Sequence, residues 1–426
     1  MAGDRVAARR LRARALKAYG TLGTAVEAGA VDAFQAVSLS EALVMGLVNQ
    51  GVRLFIGVFG HGSTDVTEVL RIYQDEGLVR TAAVHSEVEA VHAASALKWQ
   101  YGRTAAVVTS IGPGALHALA GSLTALSNGL GLYILMGDET SHGEGPNMQQ
   151  IPRREQELFL RLAGTMGPAM TIHTPEAIFT ALKRGNAAVH AAGTQSPFFL
   201  LLPMNVQPLV MERCNLREFP EARRLPMTAC VDDAAYAEAA RLLVESERVT
   251  VKVGRGARTV DRRVLEDVLE RSDAVYVHSP NLPGLLPASH RRNMTVGGSK
   301  GSISGNYAMA ECDLLVVIGA RGVCQWDSSG TAFPKARRVI NINTDPGDLA
   351  QYNRSLALPG DAGSVLERLG SVLAERGAAA ADRPSAWWRP AWRSGGSGTS
   401  SGGRDTPRRR WTIRNGGGRC SPSPRR

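Results

Sequence analysis

The stretch Val79-Arg80-Thr81-Ala82-Ala83-Val84, followed after His85-Ser86 by Glu87-Val88-Glu89-Ala90-Val91-His92-Ala93-Ala94, decides how this chain folds. The first run is short and bounded by turn residues, as a strand is. The second has helical spacing, continues to Tyr101 and closes at Gly102. A strand that passes directly into a helix is half of a βαβ unit. Glu87 stands at the junction. A carboxylate there serves as a helix cap, because it complements the positive end of the helix dipole. Its other use is as the acid of a ligand site, and the flanking segments bear on that choice.

Working outward, the same alternation recurs. Residues 40–50 read as a capped amphipathic helix and 52–59 as an apolar strand, with Asp65 and Glu68 at capping-box spacing near the next helix start. Strand 104–109, helix 113–128, strand 130–136, helix 174–193 and strand 198–202 complete a unit spanning 38–205. Strands that are apolar throughout, separated by helices, imply a parallel sheet covered on both faces. Residues 206–230, with Pro208, Pro220 and Pro226, read as a linker. A second unit over 231–380 repeats the pattern: helix 232–246, strand 249–253, helix 260–270, strands 274–278, 314–318 and 338–342, and helix 361–375. The fold class is α/β, two doubly wound parallel-sheet domains.

Composition excludes several classes. No apolar run approaches the ~18 residues that span a bilayer, so no membrane partner is expected. The five cysteines form no CxxC pair, metal-ligand spacing is missing, and a reducing, cytoplasmic setting is expected. The net charge of +10 points to nucleic acid only superficially. Eleven arginines and one acid, Asp405, lie in 383–426, so residues 1–382 are neutral and no nucleic-acid partner is expected. Residues 1–37 form a basic extension, with Arg5, Arg9, Arg10, Arg12, Arg14 and Lys17, read as a surface helix. Residues 381–426, rich in Arg, Gly and Ser, have the composition of a disordered tail. They fit either a basic interaction tail or the product of a frame change in GC-rich coding DNA.

Three loops would converge at the carboxyl ends of the first sheet: Phe59-Gly60-His61-Gly62, the Glu87 junction, and Thr109-Ser110-Ile111-Gly112-Pro113-Gly114. In this order they resemble the pyrimidine-binding domain of thiamin diphosphate enzymes, particularly the acetolactate synthase group. Gly254-Arg255-Gly256-Ala257, Asn306-Tyr307-Ala308, the run from Cys312 to Arg321 and that from Ile340 to Pro346 resemble the central domain of the same enzymes. The resemblance covers roughly 38–375. His61, Glu89 and His117 depart from the synthase pattern, and Phe-Gly-His-Gly is closer to the trihydroxycyclohexanedione hydrolases of inositol catabolism.

The resemblance implies that Glu87 is the catalytic glutamate, bonding N1′ of the cofactor's aminopyrimidine, with Val84 and Val88 as its apolar surround. Phe59, Gly60, Thr109, Gly112, Pro113 and Gly114 would bind the cofactor, and His61, Gln149 and Gln150 would face the substrate. His85 is given no role, and His92 is expected to pack against the sheet. Asn128 reads as a helix C-cap, and Gly297 to Ser302 as a glycine-rich loop without phosphate-loop spacing. The substrate would be a 2-oxoacid or a cyclic 1,2-diketone. The cofactor would be thiamin diphosphate with Mg²⁺, and no residue demands FAD. The family's metal-binding Gly-Asp-Gly is not in the sequence. The expectation is a truncated enzyme, inactive alone, or else a split or non-catalytic subunit. A homo-oligomer, or a partner carrying the diphosphate domain, would complete the site.

Overall fold

Both faces of the first sheet are apolar because alternate residues of each strand point opposite ways. Phe55, Val108, Leu135 and Leu200 enter one buried cluster. Their neighbours Ile56, Val107, Ile134 and Phe199 enter another on the opposite face. The computed structural model describes residues 2–142, 157–191, 193–222, 228–322, 332–377 and 385–388.

The chain begins with helices α1 (Ala2–Tyr19) and α2 (Leu22–Glu27), strand β1 (Phe34–Ser38) and helix α3 (Leu39–Asn49). Then follow β2 (Leu54–Gly57), α4 (Thr64–Asp75), β3 (Arg80–Ala83), α5 (Glu87–Tyr101), β4 (Ala106–Thr109), α6 (Pro113–Ser127) and β5 (Tyr133–Asp138). The first half closes with α7 (Leu158–Gly164), β6 (Ala169–Thr171), α8 (Ala177–Val189), β7 (Phe198–Pro203) and β8 (Val210–Asn215). Six strands pair in parallel in the order β3-β2-β4-β5-β7-β6. The order reverses between β2 and β4, so the crevice beyond their carboxyl ends is the topological switch point, where such sheets bind ligands.

Four expectations are corrected here. The basic N-terminal helix is no loose surface element, because Ala13, Leu16 and Arg12 are buried in the domain core. Arg12 Nε and NH2 each donate to a Glu41 oxygen at 2.7 Å, and Arg14 and Lys17 reach Glu76. With α1 packed over it, α3 is buried all round rather than amphipathic. The segment read as a linker contains β8, which pairs antiparallel with β1 from Phe34↔Asn215 to Ser38↔Val210. Its prolines flank the strand instead of interrupting it, and Met211 and Cys214 are buried on either side of a register shift, among exposed neighbours. The start of α4 also differs, since Ser63 and not Asp65 occupies the cap position.

The second half runs α9 (Asp233–Glu245), β9 (Val249–Val253), α10 (Arg262–Arg271), β10 (Val275–His278), β11 (Asn293–Val296), α11 (Ile303–Glu311), β12 (Leu314–Ile318), β13 (Arg338–Asn343) and β14 (Ser355–Pro359). A closing helix, Ala362–Glu375, is capped by Asp361. The order β11-β10-β9-β12-β13-β14, parallel throughout, is that of a doubly wound dinucleotide-type sheet with its switch between β9 and β12. Val251, Val316 and Ile340 lie in its core cluster. Beyond Pro384 the chain forms a separate unit, whose described residues make one turn in which Trp388 N donates to Ser385 O.

Candidate functional site

At the first switch point three loops are tied together by main-chain hydrogen bonds. Ile111 N donates to His61 O at 3.1 Å, joining the loop after β4 to the loop after β2. Val84 N donates to Gly57 O at 3.1 Å, holding the β3–α5 junction beside them. Gln207 Nε2 fixes Gly62 O at 2.6 Å from below. Gly62 packs on Gly137 so closely that a Cβ would lie 3.2 Å from the Gly137 Cα, with φ at +84°. That approach, in the left-handed region, is what the glycine permits. Gly112 has φ +66° and lets the chain turn from β4 into Pro113, the first residue of α6.

Glu87 opens α5, with Ser86 as the cap whose hydroxyl accepts from Val88 N at 3.3 Å. The cap role weighed for Glu87 from sequence therefore belongs to its neighbour. The Glu87 side chain turns inward and is 4% exposed. One oxygen accepts from Ser110 Oγ at 3.3 Å, and the other lies 3.2 Å from His117 Nδ1. Below it Gly114 leaves the room it occupies: a Cβ there would stand 2.3 Å from Oε1. The carboxylate is thus bounded by a hydroxyl, an imidazole and a bare Cα, close to the start of a second helix.

The structure brings Phe59, Gly60, His61, Glu87, Thr109, Gly112, Pro113 and Gly114 to this one end of the sheet. Phe59 is half-buried, His61 exposed and Thr109 fully buried, its hydroxyl donating to Ser110 O at 2.8 Å. Gln149 and Gln150 lie outside the described residues. His92, expected against the sheet, is exposed, as is His85. The buried face of α5 runs through Glu87, Ala90, Val91, Ala94 and Lys98, and His92 falls off that stripe. Ser110 and His117 were missed as partners of Glu87. His117 is one turn into α6 from Pro113, and that spacing from the loop glycines was the available signal.

An open groove lined by Phe59, Gly60, Thr64, Arg71, Gln74 and Thr81 adjoins the first loop, but Glu87 does not line it. In the second sheet the crevice between β9 and β12 is taken up by protein: Cβ atoms at Gly254 and Gly256 would lie 2.5 and 2.7 Å from Ala320 and Gly319. These glycines are accounted for by backbone contact. Gly301 likewise packs against Val296 O, and Ser302 caps α11. Asn128 is the C-cap of α6, its Nδ2 donating to Thr124 O at 2.8 Å.

Comparison with known proteins matches residues 37–158 to the N-terminal TPP binding domain of thiamine pyrophosphate enzymes. Residues 236–369 match the central domain of the same enzymes. Together the two segments make up more than half of the chain. It belongs to the thiamine pyrophosphate enzymes. Among curated relatives of this family, the acetolactate synthase large subunit of Haemophilus influenzae is 25% identical over 357 residues, which is 83% of this chain and 61% of that protein. The acetolactate synthase isozyme 3 large subunit of Escherichia coli matches to the same extent. The 3D-(3,5/4)-trihydroxycyclohexane-1,2-dione hydrolase of Listeria monocytogenes is 25% identical over 334 residues, covering 74% of this chain and 50% of the hydrolase. The chain therefore spans half to three-fifths of the length of these relatives.

The residues at the first switch point fit one end of the family's cofactor. A buried carboxylate with two side-chain partners among the described residues keeps acceptor capacity for a ring nitrogen. The bare Gly114 Cα beneath it keeps the carboxylate from being crowded by the neighbouring helix α6. Among the described residues, no group of three or more His, Cys, Asp or Glu side chains is placed to hold a metal ion. No described helix is long and apolar enough to cross a membrane.

Proposed function

We propose that this chain carries the pyrimidine half of the active site of an enzyme that forms or breaks a carbon–carbon bond beside a carbonyl, with a 2-oxoacid as substrate. The observation that carries the reading is the buried Glu87 carboxylate at the β2/β4 switch point, between two glycine-rich loops. When bound, thiamin diphosphate supplies a nucleophilic carbon and then an electron sink for the bond being made or broken. Glu87 is the residue that would hold the aminopyrimidine at its ring nitrogen and carry a proton there. Ser110 and His117 orient the Glu87 oxygens, as second partners orient a reacting group. Phe59, Gly60, Thr109, Gly112, Pro113 and Gly114 form the walls against which the ring lies. In this reading Mg²⁺ and the diphosphate are held by a domain of an associated subunit.

A second reading is favoured by one observation. His61 is exposed on the turn after β2, inside Phe59-Gly60-His61-Gly62, and is anchored through its carbonyl to Ile111 N. An imidazole there would donate to the oxygens of a cyclic 1,2-diketone, the substrate class named for the Listeria relative.

The test is calorimetric titration of the full chain and its Glu87→Gln variant with thiamin diphosphate and Mg²⁺. Turnover of pyruvate and of a cyclic diketone is then followed with any associated diphosphate-domain subunit present. Binding that weakens at least ~10-fold in Glu87→Gln supports the assignment. Equal binding by both proteins would place the cofactor elsewhere. Preference for the diketone, abolished by His61→Ala, would select the second reading.

A further inference from the structure

Away from Glu87, at the opposite end of the first sheet, four basic side chains gather where the two halves of the chain meet. Lys98, in the last turn of α5, is 4% exposed and its Nζ donates to Thr104 Oγ1 at 2.9 Å. Arg255, from the loop after β9, crosses the seam. Its NH1 donates to Asn128 O at 2.5 Å, and its guanidinium lies 5.2 Å from the centre of the Trp99 ring. Among the described residues its Nε is buried without a hydrogen-bond partner, and so is Nε2 of His190, just past the end of α8. Arg258 stands exposed at the edge, with no ion pair among the described residues.

Burial, then the charges of Arg258 and Arg255, push the Lys98 ammonium down to about 8. Burial and then Lys98 push His190 down to about 4, and burial and then Arg258 push Arg255 down to about 10. Beside Lys98 and Arg255 the negative charge comes from helix ends, and Asp345 also reaches the seam, where its Oδ2 accepts from Thr194 Oγ1 at 3.2 Å. The carboxyl ends of α5, α6 and α8 each supply about half a negative charge. That leaves three cationic side chains, Lys98, Arg255 and Arg258, against roughly one and a half opposite charges. The excess suits a dianion, and unpartnered N–H groups are what it would fill. A cation is excluded by sign, and a soft metal by the presence of one imidazole alone.

We propose that the seam formed by Lys98, Arg255, Arg258 and His190 binds a phosphate-bearing anion. Arg258 at the rim and the buried Nε of Arg255 offer guanidinium donors, and Lys98 a point charge. The site does not depend on the reading of Glu87, from which it is separated by the length of α5.

The experiment titrates the full chain with inorganic phosphate, and separately with glycerol phosphate, by calorimetry at pH 8 in two buffers of different ionisation enthalpy. The parent is compared with Arg258→Ala, an exposed change that leaves the fold intact, and with Lys98→Met. Binding by the parent, weakened about 10-fold or more in Arg258→Ala, is expected. A bound dianion holds the proton on Lys98, so the parent takes up protons on binding and Lys98→Met takes up correspondingly fewer. Tighter binding of glycerol phosphate would assign a phosphate monoester, and tighter binding of inorganic phosphate the free anion. The proposal is overturned if neither probe binds at ~10 mM, well above the range of specific sites. It is overturned equally if Arg258→Ala binds like the parent, or if proton uptake persists unchanged in Lys98→Met.

Discussion

Replacing Gly114 by alanine probes the link between α6 and the catalytic carboxylate directly. The new Cβ would sit 2.3 Å from Glu87 Oε1 and 2.5 Å from Ser110 Oγ, whereas real Cβ contacts essentially never fall under 3.0 Å. Both side chains must therefore move, although Glu87 is buried and held by Ser110 and His117. Overpacking of this kind costs about 1–3 kcal/mol. Helix propensity acts the other way, since alanine gains up to about 1 kcal/mol over glycine inside a helix. Gly164, on α7, isolates that second effect, because a Cβ there meets nothing within 4 Å. In urea denaturation followed by tryptophan fluorescence, Gly164→Ala is expected to match or exceed the parent, and Gly114→Ala to fall below Gly164→Ala by about 2 kcal/mol. Displacement of the carboxylate should also lower affinity for thiamin diphosphate. Gly114→Ala as stable as Gly164→Ala, with the cofactor affinity of the parent, would refute the packing of Glu87 on α6.

The buried Arg12–Glu41 pair supplies a second expectation. Glu41→Leu leaves the Arg12 guanidinium buried beside Gln35 and should cost about 3–5 kcal/mol by chemical denaturation, while adding Arg12→Met should restore most of it. Lys98 supplies a pH dependence. Its pKa is lowered from 10.5 to about 8 on folding, so between those values the unfolded chain binds more protons and stability rises with pH. Lys98→Met should accordingly stabilise the protein at pH 7, and the advantage should shrink as denaturation is repeated from pH 8 towards 10.5.

Much of the architecture was legible because its signals are local. Helix α5 runs from Glu87 to Tyr101 as read, since Gly102, at φ +66°, stops it and the Glu87, Ala90, Val91, Ala94 stripe fixes its inner face. Strands β9 and β12 were placed to the residue, β12 by the unbroken apolar run Leu314 to Ile318 and β9 by its alternating valines at 249, 251 and 253. What escaped depends on partners distant in sequence. Strand β8 is half exposed, and its pairing with β1 gives it a definite structure that its own residues only hint at. The basic face of α1 looked like a surface until Glu41 and Glu76 supplied counter-charges. At the site the loops and Glu87 followed from order and spacing, but the hydrogen bonds from Ser110 and His117 did not. Those require α6 to lie beside α5 at a particular height, which is a property of packing.

The β1–β8 ribbon has a mechanical consequence. The chain arrives at Phe34 and departs from Asn215, and these two residues face each other at the same end of the ribbon. Tension transmitted along the backbone from both sides therefore loads the pairs one after another, as a zipper is opened, instead of shearing all of them together. That ribbon is a sheet of its own, so opening it would leave the six-stranded sheet and the loops around Glu87 in their geometry.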